Sequence, residues 1–308
     1  MEAPRPTIAP VILSASRATD VPACYADWFM NRLRAGSFYW ANPFRPAQIR
    51  TVSTARVRAI VFWSKNPAGL WPHLDELDRR GFRYYFQFTL NDYVAEGWEP
   101  GLPALADRIE LFRRLAARLR PERVVWRMDP LLLAEGVDVS HLLAKVEWLA
   151  NQLAPCTRKL VFSFADIAAY PAVKRNLARA VPGAREFSPA EMEEFAHGLA
   201  DVNRAHGLAL ATCAEEVDLA AFGIAHNRCV DGALLASLWP EDAALMAFLG
   251  SRAGGKDKGQ RPACDCIASK DVGRYRTCPH GCVYCYANPS RAEAQRNARA
   301  HRPDAETI

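Results

Sequence analysis

Cys278, Cys282 and Cys285 form a Cys-x3-Cys-x2-Cys pattern inside CPHGCVYCYAN, residues 278–288 of a 308-residue chain. Cysteine thiolates select zinc, copper(I) or iron–sulfur clusters. A structural zinc closes its shell with four ligands. A cubane held by three cysteines leaves one iron without a protein ligand, which is the open position that chemistry at a metal needs. Three thiols within eight residues, on a loop shaped by Pro279 and Gly281, can wrap such a cubane closely. His280 is the residue a zinc site would recruit as a fourth ligand, although its place between two ligands lets it equally point outward. The balance favours an iron–sulfur cluster.

Four further cysteines could do similar chemistry. Cys264 and Cys266 form a Cys-x-Cys pair just upstream, Cys213 ends an apolar run, and Cys229 sits in NRCVDG. Together they supply four thiolates, enough for a second 4Fe–4S cluster or a zinc. Read singly, Cys213 and Cys229 are small buried hydrophobes. Cys24 and Cys156 read as ordinary thiols.

These side chains need a scaffold, and the chain has a repeating rhythm. Short β-branched or aromatic runs recur as VILSAS (11–16), RAIVFWSKNP (58–67), YYFQFTLND (84–92), RVVWRMDPLLL (123–133), KLVFSFAD (159–166) and LALATCAEE (208–216). Nearly continuous apolar runs suit strands covered on both faces. Amphipathic stretches lie between them at 68–81, 103–119, 139–153 and 188–207. In the last, Ser188 is an N-cap, Pro189 the first helical residue, Glu191 the partner in a capping box and Gly207 a stop. Strands alternating with helices imply parallel βαβ units in an α/β fold. Each run ends on polar residues, among them Ser14, Ser16, Arg17, Ser64, Lys65, Gln87, Arg127, Asp129, Ser163, Asp166 and Glu215. Such βαβ units form either an open doubly wound sheet or a complete or partial (β/α) barrel; parallel α/β folds build their sites at the carboxyl ends of the strands, and six polar strand ends converging on one mouth favour a barrel-like site. Lys65, Arg127, Asp129 and Glu215 follow apolar runs directly and fit a plain loop reading least.

Residues 1–249 read as the barrel domain and GSRAGGKDKGQRP, 250–262, as a flexible linker. Residues 263–308 read as a cysteine-rich, cluster-binding module with a C-terminal helix; the segment 264–288 holds five of the nine cysteines. Half of the chain is hydrophobic, which suffices for a sizeable core. A net charge of +5, without a basic block, permits a nucleic-acid partner and does not demand one. No apolar stretch approaches the roughly 20 residues of a membrane helix, and no positive segment precedes the short apolar run Pro10–Leu13. A cytoplasmic location is therefore expected, with thiols kept reduced or bound to metal.

The Cys278–Cys285 spacing, with Tyr284 before the third cysteine, resembles the cluster motif of the radical S-adenosylmethionine (radical SAM) enzymes. GCVYCYAN is similar to the branch that includes spore photoproduct lyase. The resemblance implies a 4Fe–4S cluster on the three cysteines, S-adenosylmethionine chelating the open iron, Tyr284 against the adenine, and a partial barrel supplying the pocket. Most of that superfamily carries the motif after its first strand, whereas here it comes last. Over nearly its whole length the chain resembles an uncharacterised bacterial family with a late cysteine cluster. The shared stretches are SASRATDVPACYADWF, VFWSKNP, YYFQFTLN, WRMDP and SKDVGRYRTCPHGCVYCYAN. If the tail folds back over the strand ends, the result is a permuted version of the same site, with Asn288-Pro289 opening a helix that runs through Arg302.

Two classes of function follow. The first is a radical enzyme in which a reduced cluster cleaves S-adenosylmethionine to a 5′-deoxyadenosyl radical. Tyr284, Ser16 and Arg17 are its candidate cofactor contacts, and Lys65, Arg127, Asp129 and Glu215 its candidate catalytic residues. It implies a low-potential electron donor such as a ferredoxin or flavodoxin. The second is a cysteine-rich binding module with a structural zinc or cluster, its tail arginines Arg291, Arg296, Arg299 and Arg302 touching nucleic-acid phosphates. Trp63, Tyr85, Phe86 and Trp126 could stack bases, though such residues more often fill a core.

Overall fold

A computed structural model describes residues 6–42 and 45–308. The first half runs through β1 (Thr7–Ile8), β2 (Ile12–Ala15), α1 (Val21–Cys24), α2 (Ala26–Arg34), β3 (Ser37–Asn42), β4 (Arg45–Ser53), β5 (Ala59–Ser64), α3 (Leu74–Arg79), β6 (Arg83–Thr89), α4 (Leu105–Leu119), β7 (Val124–Leu131) and α5 (Val139–Leu153). The second half adds β8 (Lys159–Phe164), α6 (Pro171–Ala180), α7 (Pro189–Asn203), β9 (Ala209–Thr212), β10 (Ile224–His226), α8 (Gly232–Leu238), α9 (Ala243–Leu249), β11 (Lys270–Asp271) and α10 (Arg291–Ala300).

All six expected strands form and lie in one sheet. It has eight strands in the order β10-β9-β8-β7-β6-β5-β2-β11, every neighbouring pair parallel. Its two ends, β10 and β11, do not pair with each other among the described residues, so the sheet stays open. This is a mixed α/β fold with helices flanking a parallel sheet, an arrangement consistent with a partial (β/α) barrel. A second, three-stranded sheet places β4 between β1 and β3, with β3 and β4 antiparallel.

The two-residue period of a strand sorts the side chains to the two faces. Leu13, Ile60, Phe62, Tyr84, Phe86, Val124, Trp126, Leu160 and Phe162 share the larger core with the surrounding helices. Ile12, Val61, Tyr85, Val125 and Val161 point the other way, into a smaller core closed by Val230, Leu235, Trp239, Leu245 and Ile267. On this second face the same parity, two residues further along, turns polar or amphipathic at Ser14, Trp63, Gln87, Arg127 and Ser163. The second face is therefore apolar at its base and chemically equipped toward the carboxyl ends of the strands.

The helices obey local rules. α7 carries the Ser188–Glu191 capping box with Pro189 in its first turn. α5 is capped by Asp138, whose carboxylate accepts from the His141 amide. α4 buries Arg108, Leu111, Phe112, Leu115 and Leu119 along one stripe, which puts a guanidinium where an apolar residue would be ordinary.

Residues beyond 263 return to the sheet. β11 pairs with β2, and the Asp271 carboxylate accepts from Ser14 Oγ at 2.8 Å, Ser16 Oγ at 2.6 Å and the Arg17 amide at 2.8 Å. α10 is capped by Ser290, two residues later than the expected opening at Asn288. The reason is that Asn288 is buried and its side chain is used elsewhere, as described below. After α10 the chain lies along α2, where Trp28 Nε1 donates to the Ala305 carbonyl at 3.0 Å and Asn31 Nδ2 to Pro303 at 3.0 Å. No helix among the described residues is long and apolar enough to cross a membrane.

Candidate active site

A cavity of about 870 Å³ opens at the carboxyl ends of β2, β5, β7 and β8. That lies within the usual range for a ligand pocket. Cys278, Cys282 and Cys285 line it, and so do Cys213, Cys229, Cys264 and Cys266. All nine cysteines are free thiols. Among the described residues no three His, Cys, Asp or Glu side chains converge closely enough to hold a single metal ion. A cubane makes a different demand, since its thiolates each ligate a separate iron.

The loop carrying Cys278–Cys285 is held by backbone and buried polar contacts. The Cys278 amide donates to Asn288 Oδ1 at 3.0 Å, while Asn288 Nδ2 reaches the Ala18 carbonyl at 3.3 Å and Cys285 Sγ at 3.4 Å. The Val283 amide donates to the Trp98 carbonyl at 3.0 Å and the Gly101 amide to the His280 carbonyl at 2.8 Å. Gly101 lies so close that a Cβ there would overlap the His280 backbone. Gly281 takes φ +72°, the left-handed conformation that glycine supplies without steric penalty. His280 neither points outward nor faces the thiols as a fourth ligand: it is buried, with Nε2 2.9 Å from Asp20 Oδ2. Asp20 is a buried junction that also accepts from Ser64 Oγ at 2.6 Å and from the Lys65 amide at 2.8 Å. Burial alone would raise the Asp20 carboxyl, but the hydrogen bonds from His280, Ser64 and Lys65 outweigh it and hold the group below the ordinary range.

Tyr284 points into a buried ionic cluster. Its hydroxyl donates to Glu99 Oε1 and accepts from Lys65 Nζ at 3.2 Å and Asn91 Nδ2 at 3.2 Å. Lys65 Nζ lies 2.7 Å from Glu99 Oε1, and Arg108 Nη1 lies 3.5 Å from Glu99 Oε2. Burial pushes the Glu99 carboxyl up, and the charges of Lys65 and Arg108 bring it down past its ordinary value. For Lys65 burial acts downward, and Glu99 with the neighbouring Cys282 more than reverses it. The cluster is charged, compensated and largely buried at the cavity wall, so the ring before the third cysteine is fixed in place.

The other four thiols gather on the second face of the sheet. Cys213 Sγ and Cys229 Sγ are 3.4 Å apart. Arg127 Nη1 donates to Cys229 Sγ at 2.8 Å, and the Val230 amide reaches Cys266 Sγ at 3.3 Å. The neighbouring thiols of Cys229 and Cys264, together with the Arg17 charge, favour the Cys266 thiolate. The hydrogen bond from Cys229 likewise holds Cys213 down to about 7. Trp63 stands beside them, with the guanidinium carbons of Arg17 and Arg127 4.9 Å and 5.2 Å from its ring centre.

The expected site residues thus divide. Lys65 and Tyr284 meet beside Cys282. Arg127 is ion-paired to Asp129, whose other oxygen accepts from Ser163 Oγ at 2.5 Å, and both line the cavity near Cys229. Ser16 and Arg17 line it too, but the Ser16 hydroxyl is engaged by Asp271 and the Arg17 side chain lies on the Cys266 side. Glu215 is not among the lining residues. It accepts from the Phe164 amide at 2.9 Å, and burial, with Asp166 and Asp129 nearby, pushes it up to about 8. Of the four aromatics with a base-stacking reading, only Trp63 lines the cavity, while Tyr85, Phe86 and Trp126 are fully buried core. Arg291, Arg296 and Arg299 are exposed on α10, and Arg302 is exposed beyond it.

A family model described as a domain of unknown function, DUF1848, matches residues 12–287. The chain belongs to that family. The DUF1848 match spans the large sheet from β2 to β11 and takes in all seven cavity cysteines. No curated protein and no solved structure matches the chain.

Sequence reasoning passed over Glu99 and Arg108 and read Asn91 only as one of the polar residues that end a strand. Arg108 left a trace: an arginine on the apolar stripe of α4 requires a buried anion, and of the three acidic residues in the loop before that helix Glu99 is the nearest to it in sequence. Asn288 was legible only as a helix cap.

Proposed function

We propose that Cys278, Cys282 and Cys285 hold a 4Fe–4S cluster with one open iron and that the chain is a radical SAM-type enzyme, its cavity receiving S-adenosylmethionine and a substrate. The observation that carries this reading is the return of a late cysteine loop to the carboxyl ends of parallel strands, where its three thiols and Tyr284 line one cavity. The donor set fits the cluster: three soft sulfur ligands lie on one glycine-turned loop, and the histidine inside that loop is bonded to Asp20. When bound, such a cluster supplies one electron to the reductive cleavage of S-adenosylmethionine.

The chain's own residues prepare the place. Asn288 fixes the two ends of the motif by bonding Cys278 and Cys285, and the Lys65–Glu99–Asn91 cluster fixes Tyr284. Arg127, Asp129 and Ser163 offer charge and hydrogen bonds on the same wall. Reactive species need shelter from water, and the walls that carry Tyr284, Ser163 and His280 are buried. The electron would come from a low-potential donor such as a ferredoxin or flavodoxin.

Anaerobic purification followed by reconstitution tests the reading. A brown protein absorbing at about 400 nm that yields 5′-deoxyadenosine from S-adenosylmethionine under reduction supports it. The Cys278→Ala/Cys282→Ala/Cys285→Ala variant should yield none. Undiminished 5′-deoxyadenosine from that folded variant would sink the assignment.

A further inference from the structure

We propose that Cys213, Cys229, Cys264 and Cys266 bind a second 4Fe–4S cluster, ligated entirely by protein, with Arg17, Arg127 and Trp63 as N–H donors to its sulfur atoms. Three chain segments far apart in sequence deliver these thiols: the end of β9, the loop after β10 and the stretch leading to β11. Cys213 and Cys229 touch at 3.4 Å, the amide of Val230, next to Cys229, donates to Cys266 Sγ at 3.3 Å, Cys264 stands two residues before Cys266, and all four line the cavity.

The surroundings choose between metals. A tetrahedral zinc is satisfied by its four thiolates and needs no empty space. A cubane is bulkier, and all four thiols border open cavity. Cys213 and Cys229, in contact at 3.4 Å, must part to reach different irons; one staggered step about χ1 moves a sulfur by about 3 Å. A cubane also brings four sulfides that accept hydrogen bonds, and donors for them are already placed. Arg17 Nη2 and Trp63 Nε1 are buried without any hydrogen-bond partner, and both residues line the cavity. Buried donors are rarely left unpaired, so two orphans beside four thiols point to an acceptor that arrives with the cofactor. Arg127 already donates to Cys229 Sγ. The two guanidinium charges offset the negative charge of a four-thiolate cluster, and N–H bonds to its sulfurs set its potential.

With every iron capped by protein, this cluster has no position for substrate. That separates it from the three-thiol site and leaves it electron transfer.

The test uses the full chain with Cys278, Cys282 and Cys285 all changed to Ala, so that it does not depend on S-adenosylmethionine cleavage. Anaerobically reconstituted with ferrous iron and sulfide, this variant should hold about four irons and four sulfides per chain. Absence of iron, or one zinc in its place, overturns the proposal. Should the variant not fold, the wild-type count decides: about eight irons support a second cluster and four or fewer contradict it. In whichever of these proteins carries the cluster, Arg17→Gln and Trp63→Phe should each shift its reduction potential downward. Unchanged potentials in both would remove these residues from the role assigned to them.

Discussion

Replacing Glu99 by Ala should destabilise the protein by about 3–5 kcal/mol, the range for removing one partner from a buried ion pair. Glu99 is almost completely buried and compensates both Lys65, 2.7 Å away, and Arg108, 3.5 Å away. Its loss leaves two buried cations and the Tyr284 hydroxyl without their acceptor. Against a total stability of about 5–15 kcal/mol this is a large fraction. Glu99→Gln keeps an acceptor of the same shape but not the charge, so about 1.5–3 kcal/mol is expected, the worth of hydrogen bonds to charged groups. Lys65→Met combined with Glu99→Gln should cost less than the two changes summed, because the unpaired ammonium is gone. Urea titration of the metal-free protein, followed by tryptophan fluorescence, reads the stabilities. Hydrogen exchange at the Val283 amide, bonded to Trp98, reads whether the cysteine loop loosens. A Glu99→Ala protein within about 0.5 kcal/mol of wild type, with Val283 equally protected, would refute the view that this cluster clamps the loop.

Gly101→Ala should drive a methyl group into the His280 backbone, lower stability by about 1–3 kcal/mol and reduce iron retained by the three-thiol loop, both measurable on the reconstituted protein. Asn288→Ala strips partners from the Cys278 amide and the Ala18 carbonyl, so a loss of about 1–3 kcal/mol is expected in the same titration, and wild-type stability would show that water replaces the side chain. Glu191 is held down to about 2 by Arg185 and by the Ser188 amide and hydroxyl, against an ordinary value of 4.5. A depressed carboxyl stabilises the fold above its ordinary value and loses that effect as pH falls toward its folded value. The Tm difference between wild type and Glu191→Gln should therefore be full at pH 7 and shrink steadily below about pH 4.5. A difference independent of pH would mean that the capping box works through shape alone.

Much of the frame was legible in the sequence because its signals are local. Six apolar runs became six parallel neighbours, and Ser188, Pro189 and Glu191 marked a helix start through contacts only three residues apart. Long-range consequences were not legible. The lysine- and glycine-rich composition of 250–262 gave no sign that the next segment adds β11 to the sheet edge, since two residues, Lys270 and Asp271, carry no strand pattern. β3 and β4 were missed for a different reason: FYW and the alternating TVS stretch form a hairpin outside the βα rhythm. At the site, cysteine spacing identified the thiols, but nothing in it showed that Tyr284 would reach across to Glu99, 185 residues earlier. His280 was ambiguous by spacing and became plain only through Asp20, 260 residues away.

The most direct test of the central claim is product analysis of the fully reconstituted, reduced wild-type protein incubated anaerobically with S-adenosylmethionine. The proposed function predicts 5′-deoxyadenosine and methionine in equal amounts, both absent when Cys278, Cys282 and Cys285 are replaced together. Intact S-adenosylmethionine after incubation with a protein whose three-thiol cluster is shown by iron and sulfide content to be in place would contradict it.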